Sequence, residues 1–207
     1  MDECIADGIT RTAALSALHQ REPDVAQAPF PIGMLHTGLN LDPVKAPVNP
    51  SVLLSAGMDY WACGHIHMRY IHPSENGPRI AFSGCIQGRD IKETGPRGAQ
   101  LVTLSEGAVP QLEFIPTASV VWQRLRVDVS DCTTLPEISD LIIRELFRAN
   151  SKAHCEEMIS RIALTGTTAL HEVLSRPDVI EDLRKHVNDS YASFFCDTMV
   201  DETQEPR

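Results

Sequence analysis

Gly64-His65-Ile66-His67 closes an apolar, aromatic run over residues 59–63 and sets two imidazoles one residue apart. Neutral imidazole is the commonest nitrogen ligand for divalent transition metals. Two of them at i and i+2 reach one centre where the backbone is extended or sharply turned. The glycine ahead of them permits a tight turn and a close backbone approach. A third histidine, His36, ends the apolar run 32–35 and is followed by Thr37-Gly38. His36, His65 and His67 are therefore the candidate metal ligands. The competing account is histidines that cap strand ends through ordinary hydrogen bonds, and core packing gives no reason for two of them to fall at matching ends. A second candidate set, Arg89, Lys92 and Arg97, lies in the polar stretch CIQGRDIKETGPRG. Cations in such a loop either face solvent or contact a phosphate backbone.

The elements that must position the histidines are short. Residues 32–36 read as a strand. A loop with three prolines follows, and then Asn49 as an N-cap with Pro50 at the first helical position. That helix is expected to stop at Gly57. Residues 58–64 read as the next strand. Strand, helix, strand predicts a parallel pair, and ligands gather at the carboxyl ends of such strands. His36 and His65 both fall there.

After Pro73 the runs RIAFSG, AQLVTLSEG and PQLEFIPT are expected to form one antiparallel sheet, with the polar stretch between the first two as a surface loop. From about residue 119 the order changes. SVVWQRLRVDVS is a strand, LPEISDLIIRELFRAN an amphipathic helix with Phe147 among its core positions, and MISRIALTG a strand ending at Gly166. TTALHEVLSRPDVIEDLRKHV is helical, interrupted at Pro177. The expected domains are thus 1–118 and 119–207, the second ending in an acidic, frayed tail. A weak helix is expected within residues 10–22.

A net charge of −10 argues against an all-over basic nucleic-acid binder. Residues 79–126 nevertheless hold six basic and four acidic side chains, so a local basic patch remains. The six cysteines form no CxxC pair, and no secretory segment opens the sequence, which points to reduced thiols and a cytoplasmic protein without a membrane span. Cys63 reads as a small core residue.

The stretches IGMLHTG, DYWACGHIH, PRIAFSGCIQGRDIKETGPRGAQLVTL and VVWQRLRVDV, in that order, resemble the second half of the calcineurin-like metallophosphoesterases. More closely, they resemble the SbcD-type DNA repair exonucleases. The resemblance runs from about residue 30 to about residue 175. It implies an α/β fold: the carboxyl-terminal half of a two-sheet metallophosphoesterase sandwich, followed by a small β-α-β-α capping domain. It also implies two divalent metal ions, with manganese expected in the nucleases, of which this chain by itself would hold at most one, weakly. By motif, His36 and His65 would share one ion and His67 would bind the other. DNA and an SbcC-type ATPase are the implied partners, and a homodimer is implied for the full-length form only.

The resemblance has a gap. The family's earlier motifs, Asp-x-His, Gly-Asp-x-x-Asp and Gly-Asn-His-Asp/Glu, do not occur in this sequence. They would supply the bridging carboxylate, an Asn ligand and a catalytic histidine. The expected function is metal-dependent phosphodiester hydrolysis in DNA repair, with this chain an incomplete and inactive portion and no catalytic residue assigned in it. Two further readings stay open: a catalytically dead module that docks on DNA or on an ATPase, and a mononuclear zinc hydrolase using the three histidines.

Overall fold

The computed structural model describes residues 29–73, 77–153 and 155–206. The helix expected within residues 10–22, Cys4 and His154 lie outside them. The chain is α/β and divides into two compact units, one from residues up to 86 plus 98–115, the other from 87–97 plus 116 onward. Among the described residues no helix is long and apolar enough to cross a membrane.

The first unit is built on a four-stranded sheet. β1 (Ile32–His36) pairs parallel with β2 (Tyr60–Gly64), placing Leu35 beside Cys63 and His36 beside Gly64. Between them runs the one-and-a-half-turn helix α1 (Pro50–Leu54). The Asn49 side chain accepts from the Ser51 amide, and Pro50 begins the helix, as residue types at these positions dictate. The helix stops at Ser55, two residues before Gly57. β3 (Tyr70–Ile71) and β4 (Ile80–Phe82) complete the sheet in the order β1-β2-β4-β3.

β4 corrects an expectation. It does not join the two strands that follow it in sequence but lies parallel against β2. All three of its residues are buried. A wholly apolar triplet suits an interior strand covered on both faces, whereas the half-exposed patterns of β5 (Gly98–Thr103) and β6 (Gln111–Pro116) suit the separate two-stranded sheet that they form. Leu39, Val48, Leu53, Trp61, Ile80 and Phe82 make the core of this unit.

The second unit is a three-stranded parallel sheet of β7 (Val120–Asp128), β8 (Glu157–Thr167) and β9 (Phe194–Gln204), with helices in both crossovers. The first crossover is α2 (Leu135–Ala153). Thr134 and Glu137 cap it reciprocally: the Glu137 carboxylate accepts from the amides of Thr133 and Thr134, and Thr134 Oγ1 accepts from the Glu137 amide. The second crossover holds α3 (His171–Leu174) and α4 (Pro177–Ser190), split at the proline as the sequence predicts.

Of the closing stretch DETQEPR, expected to be frayed, residues 201–204 are instead the end of β9. Its buried positions alternate, with Phe194 and Cys196 inside and Phe195 outside. Two of its acidic residues point outward, Asp197 pairing with Arg161 and Glu202 with Arg126, while Asp201 lies on the face of Met199 and accepts from Thr203. Outward charge hid a strand that buries Phe194, Cys196 and Met199.

Residues 87–97 belong with this unit because they are pinned to β7. The Gly95 amide donates to the Trp122 carbonyl at 2.9 Å, and Gln87 Nε2 donates to the Val120 carbonyl at 2.6 Å. The core gathers Ile138, Ile142 and Leu146 from α2 against Met158, Ile162 and Leu164 of β8. Phe147 lies outside it, 44% exposed, its ring edge-on to Tyr191 and Phe194. Leu146→Ala should therefore destabilise this unit by about 2–5 kcal/mol, while Phe147→Ala costs much less. Urea denaturation of the two variants checks the order, and equal losses would contradict the burial pattern.

Candidate metal centre

The carboxyl ends of β1 and β2 meet because the parallel register sets His36 opposite Gly64, and the ladder continues one bond further, from the Thr37 amide to the Gly64 carbonyl at 3.1 Å. The close approach at Gly64 is real. A Cβ there would sit 3.3 Å from His36 Nδ1. The turn itself, however, is made by His65, whose φ is +99°. A non-glycine residue in that region costs on the order of 1–3 kcal/mol and persists only where its surroundings hold it.

What holds His65 is a pair of ring contacts. Its Nδ1 lies 3.2 Å from His36 Nε2, and its Nε2 lies 3.1 Å from Asp42 Oδ2. The two rings meet edge-on with centroids 5.1 Å apart. Residue typing did not single out Asp42. It sits in the proline-rich loop after β1, where its other oxygen, Oδ1, accepts from the amides of Val44 and Lys45. Those bonds, above all the one from Lys45, together with the His65 contact, hold the Asp42 carboxyl below its ordinary pKa. The available signal was an Asp-Pro step, which favours a side-chain-capped turn, directly downstream of a histidine-bearing strand.

The loop is itself braced. Buried Thr37 donates through Oγ1 to the Ala46 carbonyl and accepts from the Leu39 amide. Gly38 fits where a Cβ would meet the carbonyl oxygens of Lys45 and Asp42 at 2.3 and 2.4 Å.

Of the three candidate ligands, then, His36 and His65 come together. His67 is exposed, and its carbonyl accepts from the Cys85 amide at 3.0 Å. Among the described residues no group of three or more His, Cys, Asp and Glu converges as a metal cage. Asp42 does not complete one, because the two nitrogens of a single imidazole point apart and their partners cannot share a point. Cys63 is half-buried in β2 and packs against the core of this unit, and burial pushes its thiol up to about 12.

The candidate cations fall in the second unit and differ from one another. Arg89 and Lys92 are exposed, with Arg89 3.3 Å from Glu93. Arg97 is only 8% exposed and donates to the carbonyls of Glu93 and Thr94. It braces its own loop.

Two comparisons bear on what this arrangement belongs to. Residues 122–204 match the family described as the middle domain of metallophosphoesterase YhaO. Over 155 residues the chain is 34% identical to an uncharacterized metallophosphoesterase, YhaO of Bacillus subtilis (strain 168). That alignment covers 73% of this chain and 36% of the relative, so the chain spans about a third of the relative's length. The match over residues 122–204 and the 34% identity over 155 residues together support a metallophosphoesterase family for the chain.

Proposed function

We propose that the chain is part of a metal-dependent phosphodiesterase acting on DNA, and that His36 and His65 are two ligands of one divalent ion. The observation that carries this is the 3.2 Å separation of His36 Nε2 and His65 Nδ1. Two nitrogens bound to one ion at about 2.0–2.1 Å, at a tetrahedral angle, lie about 3.4 Å apart. The described residues fit that ion in part, offering two imidazoles and no third convergent ligand. His67, one residue beyond Ile66, is the proposed ligand of a second ion. In a complete two-metal site such ions would polarise the phosphoryl oxygen and activate water.

Manganese, an exonuclease role in DNA repair and an SbcC-type ATPase partner extend the same reading. They are supported by the His-Thr-Gly and Gly-His-Ile-His motifs and the loop that follows them. Exposed Arg89 and Lys92 are suited to phosphate contact; Arg97, held by its own loop, is not. The five described cysteines are free thiols, in keeping with a cytoplasmic setting. A one-zinc hydrolase is less favoured, since it needs three converging ligands with a fourth position open.

Calorimetric titration of the chain with Mn²⁺ tests the proposal. One weak site is expected, weakened at least about tenfold in His36→Ala and in His65→Ala, a typical consequence of disturbing a metal site. Binding that is unchanged in both variants would overturn the assignment.

A further inference from the structure

Asp42 gives each carboxylate oxygen a separate partner. Oδ1 accepts from two amides of its own loop, at 3.0 Å each, and Oδ2 faces His65 Nε2 at 3.1 Å. An ionised carboxylate only accepts, so Nε2 must carry the hydrogen. In a neutral ring that leaves Nδ1 bare, and Nδ1 is the nitrogen turned toward His36. We infer that Asp42 is a positioning residue for the metal centre: it fixes the tautomer and ring orientation of His65 and so presents Nδ1 as the ligand atom. The inference rests on the metal-dependent reading for its consequence, but not for its geometry.

Histidine ligands commonly donate their second nitrogen to a carboxylate, and losing that partner typically lowers metal affinity by about 10–100-fold. The strained backbone of His65 makes the contact more telling. At φ +99° the ring is carried off the strand direction, and the contacts to Asp42 and His36 meet it on either side. With Nδ1 of His65 bare, the 3.2 Å contact calls for the hydrogen on His36 Nε2, and a metal held there would need His36 in its other tautomer.

The discriminating variant is Asp42→Asn. Asparagine keeps an Oδ1 to accept the Val44 and Lys45 amides, so the loop is retained. In place of Oδ2 it sets an NH₂ donor against His65, and His65 Nε2 must then accept. The proton moves to Nδ1, the atom needed for metal. Long-range ¹H–¹⁵N spectra of the metal-free chain near pH 8.5 should show His65 protonated on Nε2 in the wild type and on Nδ1 in the variant, with the amide spectrum otherwise kept. Mn²⁺ affinity should fall about 10–100-fold in the variant. A wild-type His65 that carries its proton on Nδ1 overturns the inference without any variant. So does a variant that keeps the Nε2 tautomer, or one that switches tautomer yet binds Mn²⁺ as the wild type does. If neither protein binds Mn²⁺ but the tautomer switches as stated, the role of Asp42 in orienting His65 stands and the proposed function is what fails.

Discussion

Gly33→Ala is expected to cost the first unit about 3 kcal/mol, the upper end of what overpacking in a core usually costs. Gly33 is the second residue of β1, and its alpha carbon rests on the face of an indole. A Cβ there would lie 2.3 Å from Trp61 Cε3, 2.4 Å from Cζ3 and 2.7 Å from Cδ2. The indole cannot retreat. It is 2% exposed, and its Nε1 donates to the Leu53 carbonyl at 2.8 Å, which ties it to the end of α1. Relief must come from moving β1 away from β2, and that motion carries His36 away from His65.

With a urea m value of about 2 kcal/mol/M, the midpoint of the first unit should drop by about 1.5 M. The chain's two tryptophans are Trp61 and Trp122, one in each unit. A Trp122→Phe background therefore isolates the relevant fluorescence, which matters because two units need not unfold as one. Loss of Mn²⁺ binding at urea concentrations where the wild type still binds should accompany the shift. An unchanged midpoint would mean that the indole has room that the packing denies.

The second large effect is a missing rate. With Mn²⁺, the 207-residue chain is expected to cleave neither linear duplex DNA nor a generic phosphodiester above the buffer rate. Two-metal hydrolysis clamps the attacking and leaving oxygens between ions about 3.5–4 Å apart, which needs a bridging anion and a placed proton donor. The sequence holds none of the three acidic motifs of the resembled family. Among the described residues no carboxylate converges with His36 and His65, and Asp42 is on the far side of the His65 ring. His65→Ala is the control for contaminating nuclease. Cleavage by the wild type that vanishes in that variant would show that the site draws on ligands other than those named.

Residue types and spacing by themselves determined the parallel β1–α1–β2 unit and the meeting of His36 with the Gly64 turn. An apolar run, an Asn-Pro cap and a second apolar run leave few arrangements for chain so short, and both strands then end on one edge. They also determined α2 and the break at Pro177, since helical periodicity and proline sterics are local.

Only the tertiary structure decided where short strands pair. Nothing within Ile80-Ala81-Phe82 says that its neighbour is β2 and not the next strand in sequence; that follows from burial on both faces. β9 was concealed because its outward charges look like a solvated tail until Arg161 and Arg126 are set beside them. Arg97 carries the same charge as Arg89 and Lys92, yet burial against two carbonyls gives it a different task. The role of Asp42 was the least legible. Its carboxylate reaches His65 across 23 residues of chain, through a loop that folds back on Thr37 and Gly38, and a contact of that kind has no local sequence pattern because folding alone closes the distance.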